Sequence, residues 1–254
     1  MPLDAYSPCP GGTGKKIKFC CSDLLGDLQK IDRMLEGEQF QAALAHVERM
    51  EEKHPGRACL MAYHCLLLRI TRRIEEVEPL AARFVQLHPK NPVALAEMAI
   101  VTAAQQGGKA AMPFLQQAME AAGAEVPMRA YEMLTAVGQI LVMEGNILAA
   151  RAVLQWALML TREDSMPLEL LTRISSSRDL PIWVKDERRL LECPVDAPWR
   201  AEFDEALKTA RRGQWSAAEQ QFLAIAAKAG DHPAVWRNVA LIRGWQADSA
   251  GCAE

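Results

Sequence analysis

Three of the seven cysteines, Cys9, Cys20 and Cys21, fall within the first 21 residues, in the string YSPCPGGTGKKIKFCC that runs from Tyr6 to Cys21. The other four, Cys59, Cys65, Cys193 and Cys252, are scattered. An odd number spaced in this way does not make the framework of a disulfide-stapled secreted domain. A bridge between the neighbours Cys20 and Cys21 would be strained. Closely spaced thiols of this kind can serve metal or redox chemistry. The segment GGTGKK invites comparison with a phosphate-binding loop and fails it. No glycine stands five residues before Gly14, no Ser or Thr follows Lys15, and no apolar strand precedes the glycines. His46, His54, His64, His88 and His232 form no His-x-x-x-His pair, and no Ser-His-Asp arrangement or raised-pKa carboxylate pair stands out. The sequence therefore points away from an enzyme.

Bulk composition sets what can position those thiols. Half of the 254 residues are hydrophobic, 24% are charged and 6% are aromatic. Abundant Ala and Leu favour helix over sheet. A net charge of −3 argues against a general binder of nucleic acid or acidic membrane, because phosphate neutralisation needs a basic surface. No stretch approaches the roughly 20 apolar residues that span a bilayer, and the N-terminus lacks the basic-then-apolar order of a secretory signal. A cytoplasmic location is expected.

The organising feature is a repeat. Pro55 in EEKHPGR and Pro89 in QLHPKNP stand 34 residues apart, each after a histidine. Phe40, Ala43, Val47 and Met50 precede the first, and Ile74, Val77, Ala81 and Phe84 precede the second at the same offsets. Gly108, Ala111, Leu115 and Ala118 repeat the spacing, as do Ile147, Ala150, Leu154 and Ala157 after a short insertion, Gly123 to Pro127. The pattern predicts helical hairpins: small residues where two helices cross, large ones in the groove to the next pair, and glycine in the turns EGEQF, QQGGK and MEGNI. His54 and His88 are expected as helix C-caps, and Cys59 and Cys65 as core thiols. The basic run RITRR (69–73), followed by EEVE, reads as a solvated face. No hairpin can bury its apolar face alone, so the units must stack.

On these residues the chain resembles the tetratricopeptide-repeat family over about residues 24–160 and 199–245. The best match is AVGQILVMEGNILAARAVLQWAL (136–158), with Gly138, Gly145 and the Ala150, Leu154, Ala157 ladder. The expected fold is an all-α, helical-hairpin solenoid. Its organisation would be a knuckle over 1–22, four hairpins over 23–160, an irregular connector over 161–198, and a further hairpin plus an incomplete one over 199–254. PAVWRNVALIRGW is not the polar cap of a terminal repeat, so the chain is expected to be a fragment of a longer protein or to be covered by another chain.

The N-terminal string resembles the SEC-C motif, a small zinc-binding element at the C-terminal tail of the SecA translocation motor and in many other bacterial proteins. That family reads Cys-Pro-Cys-Gly-Ser-Gly-Lys-Lys-aromatic-Lys-x-Cys-Cys or -His. This chain keeps Cys9, Pro10, Gly12, Gly14, Lys15, Lys16, Lys18, Cys20 and Cys21, with Thr13 for Ser, but Gly11 stands where the family has its second cysteine. The resemblance implies zinc as cofactor, held by Cys9, Cys20 and Cys21, with the lysines easing thiolate formation. Water, a partner residue or a carboxylate such as Asp4 would complete the tetrahedron. The alternative is a knuckle that keeps its turn and basic surface without metal.

In tetratricopeptide arrays the first helix of each pair lines the concave face. Helical spacing places Leu66, Arg69 and Ile70, then Ala96, Ile100 and Ala103, then Thr135, Gln139 and Met143 there. Such an apolar groove suits an amphipathic helix or an extended apolar segment, unless the chain's own connector fills it. The expected function is a protein-binding scaffold, with Lys15, Lys16 and Lys18 as a docking surface. Two other outcomes follow from the same residues: an accessory factor of protein export or translation that touches the ribosome or translocation machinery through the basic knuckle, or the N-terminal part of a larger enzyme.

Overall fold

The computed structural model describes residues 3–122, 128–160, 165–185, 189–230, 232–248 and 250–252. The expected insertion Gly123 to Pro127 and parts of the connector lie outside them. Among the described residues there is no strand, and the regular elements are helices. After the N-terminal loop come α1 (Ile17–Cys20), a 3-10 turn (Ser22–Leu24) and then consecutive pairs. These are α2 (Leu25–Glu36) with α3 (Phe40–Lys53), α4 (Ala58–Ile70) with α5 (Ile74–Leu87), α6 (Pro92–Gln106) with α7 (Gly108–Ala122), and α8 (Met128–Met143) with α9 (Ile147–Leu160). The connector contributes α10 (Ser165–Ser176) and the single turn α11 (Ile182–Lys185). Then follow α12 (Arg200–Arg211), α13 (Trp215–Ala229) and α14 (Pro233–Trp245). The fold is the all-α, hairpin-repeat class that the periodicity predicts.

The phased residues explain the pairing. Phe40, Ile74, Gly108, Ile147 and Trp215 each open the second helix of a pair. Before each of these one residue takes a positive φ: Gly107 (φ 94°) ahead of Gly108, and in the other four turns Glu38 (φ 54°), Arg72 (φ 61°), Gly145 (φ 77°) and Gly213 (φ 79°). In those four the amide after it reaches back to a carbonyl of the first helix, as in Gln39 to Met34 at 2.8 Å and Arg73 to Leu68 at 2.9 Å. That bond satisfies an orphan carbonyl and reverses the chain. In the first two turns the left-handed residue is not glycine, contrary to the expectation drawn from EGEQF. Gly37 has an ordinary φ of −87°, and Glu38 carries the strained position. His54 and His88 are C-caps of α3 and α5, as expected, with their amides donating to Met50 and Phe84 carbonyls.

The chain divides into two compact units, Met1–Val101 with Gln117–Ala130, and Thr102–Gln116 with Tyr131–Glu254. The core of the first contains Leu28, Ile31, Leu44, Val47, Leu60 and Phe84, together with the phased small residues Ala43 and Ala81. Ile17, Cys21 and Leu24 belong to the same core, so the N-terminal knuckle is not a separate bead on the chain. In the second unit Ala150, Leu154 and Ala157 are fully buried. Leu154 lies on Gly138, where an added Cβ would stand 2.7 Å from Leu154 Cδ2. Phe203 of α12 and Phe222 of α13 meet edge to face at 5.0 Å. Among the described residues no helix is long and apolar enough to cross a membrane.

Candidate metal centre

The knuckle closes by short backbone bonds. The Cys9 amide donates to the Lys15 carbonyl at 2.8 Å, the Gly12 amide to the Cys9 carbonyl at 3.0 Å, and the Ile17 amide to the Ser7 carbonyl at 2.9 Å. Gly12 and Gly14 take positive φ, which lets so short a loop reverse. The single turn of α1 then returns Cys20 and Cys21 to Cys9. The three Sγ atoms lie within 4.8 Å of one another. Cys9 and Cys21 are 3.6 Å apart, and Cys9 and Cys20 are 3.5 Å apart. Four thiolates at ~2.3 Å from a tetrahedral ion stand ~3.8 Å apart, so the spacing fits a single bound ion of that kind. It is far too long for a disulfide, and all seven cysteines are free.

A further thiol reaches the group. Cys59, expected as an ordinary core thiol, is 1% exposed at the second position of α4. Its thiol is electrostatically coupled to those of Cys9 and Cys21, although it lies outside the trio whose sulfurs are all within 4.8 Å of one another. Hydrogen bonds from the Cys21 and Cys59 thiols hold Cys9 far below the usual thiol range. Hydrogen bonds with Cys59 and Cys9, aided by burial, push Cys21 far above it. For Cys59 the bond with Cys21 acts downward, but the bond to Cys9 and burial outweigh it and push the thiol up to about 12. Thr13 Oγ1 donates to Cys20 Sγ at 3.2 Å and steadies the most exposed member.

Packing onto the first unit fixes the knuckle. Asn91 donates from Nδ2 to the Gly11 carbonyl at 2.6 Å, while its Oδ1 accepts from the Val93 and Ala94 amides and caps α6. Arg57, the residue before α4, donates from Nη2 to the Cys20 carbonyl at 3.0 Å and pairs with Asp23 at 2.8 Å. Asp4, one candidate for completing the metal shell, is occupied elsewhere: its Oδ1 accepts from the amides of Tyr6 and Ser7 and from the Ser7 hydroxyl. Lys15 and Lys16 are exposed, and Lys18 stands over the Tyr6 and Phe19 rings at 4.2 and 4.6 Å.

The residues expected to line a groove are placed unevenly. In the first unit Leu66 and Arg69 are half-buried and Ile70 is exposed, but Ala96 and Ile100 are buried. Arg69 is tied to the fully buried Glu97 at 3.1 Å. In the second unit Gln139 and Met143 are exposed, whereas Ala103 and Thr135 are buried. Buried side chains offer no surface, so the groove drawn from helical spacing is not available at Ala96, Ile100, Ala103 or Thr135. The second unit has instead a cleft of about 680 Å³ lined by residues from several elements. Trp156, Trp215 and Trp245 line it, with Trp156 and Trp215 centroids 5.5 Å apart and Trp215 and Trp245 centroids 5.8 Å apart. Met159, Arg189 and Arg211 complete much of its wall. Connector residue Leu191 is clamped beside it by the buried Asn238 side chain, through bonds of 2.7 and 3.0 Å to the Leu191 amide and carbonyl. All six tryptophans fall between Trp156 and Trp245, which was the available signal, but nothing in their spacing shows which three converge.

Comparison with known proteins adds little to this geometry. No protein-family description matches the chain, and no curated protein matches it. Among solved structures, a chain of "Structure of Naa15/Naa10 bound to HypK-THB" is similar, at 18% identity and a TM-score of 0.34. The match covers 89% of this chain and 35% of that one, so the present chain spans about a third of its length.

Proposed function

We propose that this chain is a non-enzymatic protein-interaction scaffold of the tetratricopeptide type, with an N-terminal SEC-C-like knuckle that holds a structural zinc ion. The tryptophan-lined cleft of the second unit is the observation that carries the scaffold reading. Its volume is that of a binding site, and its lining combines three tryptophans and apolar side chains with Arg189, Glu192 and Arg211. Such a surface suits an apolar side-chain cluster on a partner's helix or extended segment, since buried aromatics supply most of the energy at protein interfaces. Met159 is 72% exposed on its wall, which in an isolated unit leaves a large apolar side chain in water. For zinc, the support is the sulfur spacing together with a donor set made only of thiols, which suits a soft or borderline ion.

Site-specific photo-crosslinking in the source cells tests the scaffold. A photoreactive residue at Met159 should give discrete protein adducts, and one at the exposed Lys53 should give none. No adduct at Met159, or the same adducts at both positions, would contradict the cleft as the binding surface. A third position at Lys15 separates the accessory-factor outcome, since ribosomal or translocation adducts only from Lys15 would move the interaction to the basic knuckle. Deleting residues 1–21 would not be a clean control, because Ile17 and Cys21 are part of the first unit's core.

A further inference from the structure

We propose that Cys59 is the fourth ligand of the zinc site, so that the ion joins the N-terminal knuckle to helix α4 rather than closing the knuckle upon itself. The inference rests on the zinc reading above and deepens it. Its starting point is Gly11. An added Cβ there would stand 2.4 Å from the Ala58 carbonyl carbon and 2.4 Å from the Cys59 nitrogen, with the Ala58 oxygen at 2.8 Å. These are backbone atoms in the first turn of α4 and cannot move aside as a side-chain tip would. The knuckle loop therefore rides directly on the main chain of Cys59, and no side chain, cysteine included, fits at position 11. The helix that excludes a ligand at Gly11 brings a sulfur of its own. Cys59 is buried, its backbone nitrogen lies directly under Gly11, and its thiol is coupled to those of Cys9 and Cys21, the two buried members of the triad.

The surroundings suit that role. Asn91 holds the Gly11 carbonyl and Arg57 holds the Cys20 carbonyl, so knuckle and helix are already aligned before any ion enters. Four thiolates around a divalent cation leave a net charge of −2. Cys59 sits in the first turn of a 13-residue helix, where unpaired amides favour negative charge, and the Arg57 guanidinium adds a formal positive charge beside it. Sulfur separations of 3.5 and 3.6 Å leave room for one ion and not for a multi-iron cluster. Cys65, six residues further along α4, is also fully buried but is not among the thiols that bond with the triad. Burial alone does not make a thiol part of the site.

X-ray absorption at the zinc edge of the full chain, with competition titration of zinc affinity, tests this. The native chain should show four sulfur neighbours at ~2.3 Å. Cys59→Ser should show three sulfurs and one lighter atom, with affinity lowered at least 100-fold, while Cys65→Ser should keep four sulfurs and native affinity. A native site with three sulfurs and one oxygen or nitrogen, unchanged in Cys59→Ser, would overturn the proposal and leave a three-cysteine zinc knuckle standing. A native chain that takes up no zinc would overturn both. Should Cys59→Ser fail to fold, the sulfur count of the native chain decides alone.

Discussion

Cys9→Ser should leave the purified chain with less than about a tenth of an equivalent of zinc, against about one equivalent for the native sequence. Cys9 is the member with sulfur contacts to both partners of the triad, Cys21 at 3.6 Å and Cys20 at 3.5 Å, and its thiol is coupled to that of Cys59. Serine would replace a thiolate ligand with a hydroxyl of far higher pKa. Cys20→Ser should act in the same direction but less completely, because Cys20 is the more exposed member and Thr13 stands beside it to position a water. Elemental analysis of protein purified without added chelator checks both. A Cys9→Ser protein that retains a full equivalent would place the metal elsewhere.

Gly11→Ala should destabilise the first unit by about 3 kcal/mol, at the upper end of what overpacking one methyl group costs. The clash is with main-chain atoms on both sides of the Ala58–Cys59 peptide. Relief requires the loop to lift off α4, and that movement stretches the Asn91 bond to the Gly11 carbonyl and withdraws Cys9 from Cys59. Gly26→Ala is a control of opposite sign. Gly26 lies in the first turn of α2 with nothing within 4 Å of an added Cβ, so alanine there should raise stability by up to about 1 kcal/mol through helix propensity. Denaturant unfolding followed by circular dichroism compares the two. Equal midpoints for Gly11→Ala and the native chain would show that the loop does not press on α4.

Much of the fold is legible in the sequence because a 34-residue repeat of small and bulky residues admits few packings. Phe40, Ile74, Ile147 and Trp215 open second helices because each follows a turn whose hydrogen bond fixes where the next helix starts. The turn at EGEQF departs from the glycine expectation, and the turn before Ile74 contains no glycine. Glu38 and Arg72 hold the left-handed position, since the reversal is dictated by the amide bonds that follow them and not by a local preference for glycine. The groove residues Ala96 and Ile100 illustrate a different limit: helical spacing gives the face of a helix, not what lies over that face.

The thiol site shows both sides. Cys9, Cys20 and Cys21 declare themselves by their spacing, and the substitution at Gly11 is visible as a missing ligand. Cys59 stands 38 residues after Cys21 in an apolar helical run, where a cysteine reads as core. Only the approach of the loop to the first turn of α4 gives it another meaning. Gly11 held the clue, because a glycine in place of a ligand can mean that space, not chemistry, was lost. Trp156, Trp215 and Trp245 were hidden for a similar reason, as three positions on different helices acquire a common cleft only through packing.

The central claim is that knuckle and helical array form one structure through the shared ion. Hydrogen exchange of the native chain, with and without a strong zinc chelator, tests it most directly. Removing zinc should speed exchange at least tenfold both in the loop at Cys9, Gly12 and Cys21 and at Leu60 and Met61 in the first turns of α4, with the amides of α3 and α5 much less affected. Acceleration in the loop alone, with Leu60 and Met61 unchanged, would contradict the account and leave the knuckle an independent element resting on the array.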